Sequence, residues 1–148
     1  MFANFNYDEF PIVHVYFSEK IINEEDFLNF LNKWMELYNN KKKFTFIFHT
    51  EKVGYIPIKY SILMSLFIKK LKKKQIHYLQ KSIIIINSSF VRYMLELIFY
   101  LQLPVAPVII INKKNIENLN NKIKFILQIK NFKQQNYDNM VIILPKNY

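Results

Sequence analysis

The sequence predicts a single-domain α/β fold, with a mixed and largely parallel sheet built from strands that alternate with helices. Strand-like and helix-like segments follow one another along the whole chain. Four consecutive isoleucines, Ile83 to Ile86, lack the alternation of a half-exposed strand and are typical of a strand covered on both faces. The length of 148 residues is typical of one domain. We therefore expect residues 1–148 to form one domain.

The first predicted elements are a strand, a helix and a second strand. Ile12 to Phe17 is a β-branched and aromatic run. Asn23 is a predicted N-cap because three acidic residues follow it, and apolar residues then recur at helical spacing as far as Tyr38. Phe44 to Phe48 resumes as a strand. Residues 1–10 are expected to form an N-terminal arm or an edge strand.

The rest of the chain continues this alternation. Its predicted elements are a helix from Pro57 to Lys74, a strand from Ser82 to Asn87, a helix from Phe90 to Gln102, a strand from Val108 to Ile111 and a helix within Asn115 to Lys130. Pro57 suits a first helical turn, and Ser88 or Ser89 is the predicted cap of the third helix. Residues 131–148 are expected to be a C-terminal extension with a short strand at Val141 to Leu144.

The segment from Phe44 to Lys113 resembles the SpoIIAA-like fold of STAS domains and, more remotely, the CRAL-TRIO lipid-binding domains. The likeness rests on the strand SIIIIN at 82–87, the helix that follows it, and the return to a strand before Ile111. It implies a STAS order over about residues 10–130. Anti-sigma-factor antagonists of this family carry an Asp-Ser pair at the start of the second helix. Gly54 to Lys59 reads GYIPIK and lacks that phosphorylatable serine.

The formal net charge of +10 suggests an anionic partner such as nucleic acid or an acidic lipid surface. Only Arg92 is arginine among the 21 basic residues, and the abundant Ile, Asn, Lys, Phe and Tyr are the residues of an AT-rich genome. Codon bias can therefore explain the lysine excess. The densest basic run could bind anions or could be a solvated helix end, and its members are Lys69, Lys70, Lys72, Lys73 and Lys74.

Several functional classes find no support in the sequence. The absence of cysteine excludes disulfides and thiolate chemistry and favours the cytoplasm as the expected compartment. The N-terminus lacks the pattern of a signal peptide, and the apolar stretch from Leu97 to Ile111 is too short and proline-interrupted for a membrane span. A single glycine excludes Gly-rich phosphate loops. No catalytic motif, cofactor or histidine spacing typical of a metal site is found, so we expect no cofactor, metal or enzymatic activity.

One small-ligand pocket is a candidate at the carboxyl end of the second strand, where open α/β sheets place their ligand sites. Its residues are His49, Glu51 and Tyr55. His49 could act as a general base oriented by Glu51, although alternation along a strand does not require the two to converge. A solvated loop is the alternative interpretation.

The second and third helices are apolar around more than half of their circumference, which one sheet face cannot cover. The surplus predicts a protein interface, and its residues are Tyr60, Ile62, Met64, Phe67, Tyr93, Phe99 and Tyr100. Packing of these helices within the monomer is the alternative. The leading hypothesis is thus a non-enzymatic STAS-like protein–protein interaction module, either a homo-oligomer or a subunit of a larger assembly. The alternative function is electrostatic binding of nucleic acid or acidic lipid.

Overall fold

The alternation of strands and helices is confirmed by a computed structural model, which describes residues 1–132 and 140–148. The strands are β1 (Ala3–Asn6), β2 (Ile12–Phe17), β3 (Phe44–His49), β4 (Leu79–Ile86), β5 (Val108–Asn112) and β6 (Met140–Ile143). The helices are α1 (Glu24–Leu37), α2 (Ile58–Leu71), α3 (Ser89–Leu101) and α4 (Leu119–Gln128), with 3₁₀ turns at Tyr38–Asn40 and Lys113–Asn115.

The six described strands form one mixed sheet in the order β1-β2-β3-β4-β5-β6. The four central strands are parallel, and β1 and β6 pair antiparallel at the two edges. The largely parallel sheet is therefore confirmed, whereas the STAS-like order stays a prediction. The N-terminal residues form an edge strand, and β6 adds part of the C-terminal extension to the sheet.

The helices α1, α2 and α3 each connect one parallel strand to the next strand in the sheet, always in the same direction. Because such crossovers have the same hand, all three helices lie on one face of the sheet. Residues of α1, α2 and α3 accordingly share one hydrophobic cluster with Val13, Phe46 and Ile84. We call this side of the sheet the three-helix face. Ile126 of α4 and Phe132 cover the opposite side, the α4 face, where they pack over isoleucines of β3, β4 and β5. The isoleucine run of β4 is covered on both faces, as its sequence predicts.

The helix caps explain where the helices begin. Asn23 accepts a 2.9 Å hydrogen bond from the Asp26 amide, and Ser88 accepts one of 3.2 Å from Val91, so both predicted caps are confirmed. The α4 helix lies within its predicted segment and begins at Leu119 because Asn118 provides its cap. Both boundaries of α2 differ from prediction: α2 ends at Leu71 rather than Lys74, and Pro57 is its N-cap rather than part of its first turn.

Candidate functional site

An apolar groove runs between α2 and α3 on the solvent side of the three-helix face. Ile58, Ile62 and Leu66 line it from α2 at intervals of four residues, and Leu97 and Leu101 line it from α3. The groove has a volume of about 460 Å³, and its remaining lining residues are Ser65, Lys69 and Gln102. Leu66 is 55% exposed and Ile58 is 65% exposed. We call this feature the α2–α3 groove.

Neighbouring helices explain why the apolar surface of α2 exceeds what the sheet can cover. The Tyr60 ring lies 5.0 Å from Phe27 of α1, and the Phe67 ring lies 5.3 Å from Trp34. On the opposite flank α2 contacts α3. Packing within the monomer therefore accounts for the flanks of α2, which α1 and α3 cover, while the outer stripe of α2 faces solvent.

The residues predicted for the interface separate into three groups. Ile62, Tyr93 and Tyr100 are exposed, whereas Met64 and Phe99 are partly buried against the core. Tyr60 and Phe67 are buried, so they belong to the core and not to a binding surface. Four groove residues lie outside the predicted interface: Ile58, Leu66, Leu97 and Leu101. The four-residue spacing of Ile58, Ile62 and Leu66 was the available signal, but it does not reveal which side of a helix faces outwards.

The predicted anion-binding lysines lie at and beyond the end of α2. Lys69, Lys70 and Lys73 are exposed, and Lys72 and Lys74 are partly buried. The Lys74 Nζ atom lies 5.5 Å from the centre of the Tyr38 ring, a cation–π geometry. Lys69 also lines the α2–α3 groove.

A second cluster of chemically active side chains lies on the α4 face. The Nδ1 atom of His14 in β2 is 2.9 Å from Nε2 of His49 at the end of β3. Glu9 places a carboxylate oxygen 3.1 Å from Nε2 of His14, and Glu51 places one 3.7 Å from Nδ1 of His49. We call these four side chains the histidine cluster.

Strand pairing positions the two imidazoles. Tyr16 is paired with His49 across the parallel β2–β3 ladder, and His14 lies two residues earlier on the same face. The Tyr16 ring stacks on His49, with 4.3 Å between centroids and 9° between planes. Lys113, after β5, lies 3.5 Å from the other oxygen of Glu51. Side chains from the β1–β2 turn and from the segments after β3 and β5 thus meet at this cluster.

Burial lowers the pKa of His49 below the ordinary histidine value of 6.5, and it is the largest influence on this group. The Glu51 carboxylate opposes that effect, whereas His14 and Lys113 lower the pKa further. His49 is therefore held towards its neutral form, which suits a hydrogen-bond acceptor or a base.

The structure brings together only part of the predicted ligand pocket. His49 and Glu51 do converge, but the Tyr55 ring lies 5.6 Å from Phe90 at the start of α3 and is 72% exposed. His14 is the residue that sequence reasoning missed. It is 35 positions from His49, and only the register of β2 against β3 makes them neighbours. The alternation of buried Val13 and Val15 around His14 was the signal that its ring points to the opposite face.

Within residues 1–132 and 140–148, no group of three or more His, Cys, Asp or Glu side chains is arranged to hold a metal ion. In the same residues, no helix combines the length and apolar character that a membrane crossing requires. No family model, curated protein or solved structure matches this chain. Functional inference therefore rests on the groove and the histidine cluster themselves.

The lowered pKa of His49 predicts a pH-dependent stability. Below pH 6.5 the unfolded chain binds more protons at this position than the folded chain, so the free energy of unfolding falls as the pH falls. The stabilising effect is complete above that value and is lost as the pH falls through the folded pKa. Urea unfolding at a series of pH values measures it.

The His49→Gln variant provides the comparison for this prediction. We expect its free energy of unfolding to depend less on pH than that of the wild type over about pH 5 to about pH 7. Equal slopes for the two proteins would contradict the assignment of this pH dependence to His49.

Proposed function

We propose that the protein is a non-enzymatic interaction module that binds a protein partner in the α2–α3 groove. The observation that carries this proposal is the set of five large apolar side chains that two helices contribute to one solvent-facing groove. Contiguous apolar patches on monomers commonly mark interaction sites, and a groove between helices suits the apolar face of a third helix. The proposal includes a STAS-like relationship of the fold and a cytoplasmic location of the protein.

The charges around the groove favour a partner with an acidic rim. Lys69 lines the groove, and Lys59 and Lys70 are exposed neighbours of its α2 residues. The nearby acidic residue Glu96 is already in an ion pair with Arg92 at 3.3 Å. A second copy of the chain would bring lysines against lysines, which opposes association. We therefore infer an amphipathic helix with acidic residues beside its apolar stripe as the partner, rather than a homo-oligomer.

Two synthetic helical peptides with the same apolar stripe test this inference. One carries glutamates beside the stripe and the other carries lysines. We expect only the acidic peptide to bind the full-length protein in fluorescence anisotropy, with an affinity that falls as salt is added. Equal binding of both peptides, or binding of neither, would count against the proposed partner chemistry.

The Leu66→Glu variant is expected to weaken acidic-peptide binding at least about tenfold, because it places a charge in the apolar groove and repels the peptide. Leu28→Glu is the matched control, since Leu28 is 47% exposed on α1 and outside the groove. Circular dichroism confirms that both variants fold. Equal affinities of the two variants would place the binding surface elsewhere.

Electrostatic binding of nucleic acid or acidic lipid is the second candidate function, and the exposed lysines at the end of α2 favour it. Replacing Lys69, Lys70 and Lys73 together with glutamine should then weaken binding to single-stranded RNA or anionic vesicles and reduce its salt dependence. Tight binding that is insensitive to this triple replacement would remove the lysine cluster as the site.

A further inference from the structure

The histidine cluster is a chain of four side chains whose hydrogen atoms can be counted. Its three links are Glu9 to His14, His14 to His49, and His49 to Glu51. Each link needs one hydrogen, because ionised carboxylates only accept hydrogen bonds and two ring nitrogens that face each other need one donor and one acceptor. Two neutral imidazoles supply only two hydrogens. A neutral pair therefore leaves one link unsatisfied.

The distances show where the chain is incomplete. The central link is a hydrogen bond of 2.9 Å, whereas His49 Nδ1 and Glu51 Oε1 are 3.7 Å apart, which is beyond hydrogen-bond range. His14 Nε2 and Glu51 Oε1 are both buried without an aligned hydrogen bond in the part of the chain that the structure describes. Buried polar atoms at both ends of the chain thus lack hydrogen bonds.

One added proton supplies a hydrogen for each of the three links. His14 then donates from Nε2 to Glu9 and from Nδ1 to His49, which accepts at Nε2. The single hydrogen of a neutral His49 lies on Nδ1 and faces Glu51. A second proton would place two N–H groups against each other across 2.9 Å, so the pair resists it.

The surrounding charges favour the added proton on His14 and a neutral His49. His14 faces the Glu9 carboxylate, which is 68% exposed and close to solvent. His49 is covered by the Tyr16 ring and lies near Glu51, whose charge the Lys113 ammonium group partly balances. Burial and the neighbouring His14 and Lys113 lower the pKa of His49.

We propose that His14 and His49 form a proton-binding unit that takes up one proton, carried by His14 between Glu9 and a neutral His49. The protonated unit ties the turn between β1 and β2 to the end of β3. In this turn the Ile12 amide donates to the Glu9 carbonyl at 3.0 Å, so Glu9 is held next to the start of β2. Loss of the proton leaves one of the three links without a hydrogen and so weakens the connection between this turn and the end of β3. The α4 face therefore carries a proton-responsive contact, on the side of the sheet opposite the α2–α3 groove.

Long-range ¹H–¹⁵N spectra of the histidine-labelled full-length protein test the proposal, because they report the charge and the tautomer of each ring. The titration covers about pH 5 to about pH 8. We expect His14 to become doubly protonated towards the acidic end while His49 stays neutral with its hydrogen on Nδ1. Exposed His77 provides an internal reference signal. Full protonation of both rings over the same range, or a neutral His14 throughout, would overturn the proposal.

The His14→Gln variant tests whether the two rings are coupled. Without a positive neighbour, His49 should titrate at a higher pH than in the wild type, by about half a pH unit or more. An unchanged His49 midpoint in a folded His14→Gln protein would show that the rings act independently. The wild-type spectra decide the question even when this variant does not fold.

Discussion

Replacing Phe46 with alanine is expected to lower the free energy of unfolding by about 3–5 kcal/mol. Phe46 is fully buried at the centre of the aromatic core on the three-helix face. Its ring lies 4.8 Å from Trp34, 5.1 Å from Phe44 and 4.6 Å from Phe48. The alanine would remove contacts with two strand neighbours and with α1 at once. A domain of this size is stable by about 5–15 kcal/mol, so the loss would be a large fraction of the total.

Urea unfolding followed by circular dichroism measures this effect. Phe46→Leu retains most of the buried volume and is expected to cost about 1 kcal/mol. Tyr100→Ala is the surface control, because Tyr100 is 87% exposed, and it should change the free energy of unfolding by no more than about 0.5 kcal/mol. A similar loss for Phe46→Ala and Tyr100→Ala would contradict the central role of this aromatic cluster.

Replacing Lys81 with methionine is expected to destabilise the protein by about 2 kcal/mol and to loosen α4. The Lys81 Nζ atom of β4 donates to the backbone carbonyls of Ile126, Leu127 and Ile129, at 3.2, 3.1 and 2.8 Å. The last carbonyls of a helix lack partners within the helix, and a positive charge there favours the helix dipole. Burial lowers the pKa of Lys81, which reflects the cost of holding an ammonium group here, and the three contacts offset that cost.

Hydrogen exchange locates the effect of Lys81→Met. We expect faster exchange of the α4 amides, because the helix loses its link to the central sheet, and little change in α1 to α3. Lys130→Met is the matched control, since Lys130 is exposed near the same end of α4. Unchanged α4 exchange in Lys81→Met would show that Ile126 and Phe132 hold the helix without the lysine.

Phe46 and Lys81 determine which surfaces remain available for function, because they hold the helices against the two faces of the sheet. The aromatic core holds α1 and α2 on one face, and the part of α2 that reaches solvent is its outer stripe and its boundary with α3. Lys81 and Ile126 hold α4 over the other face, above β3 to β5. The α2–α3 groove and the histidine cluster therefore lie on opposite sides of one sheet.

Local sequence was sufficient to predict the fold class and most of the elements. The isoleucine run of β4 predicted a strand covered on both faces, and Asn23 and Ser88 predicted helix starts, because these signals act within a few residues of the chain. The predicted end of α2 was wrong, and α4 occupies only part of the segment predicted to contain it. A lysine run continues a helical pattern without requiring a helix, and the 3₁₀ turn at Lys113–Asn115 precedes α4.

The candidate sites were only partly predictable, because they depend on contacts between residues that are far apart in the sequence. Strand position predicted His49 and Glu51 as neighbours of one site, but nothing local to His14 places it beside them. Helical spacing predicted the apolar surplus of α2, but it did not separate the exposed residues from Tyr60 and Phe67, which the neighbouring α1 covers.

The alternation of elements and the excess of apolar helix surface were thus determined by the sequence itself, since both depend on the spacing of residue types along the chain. The pairing of His14 with His49, the capping of α4 by Lys81 and the outward side of α2 were decided only by the tertiary structure. Each depends on residues that are distant in sequence and become neighbours through strand register and helix packing. Hydrophobic periodicity shows that a face must be covered, but it does not show which element covers it.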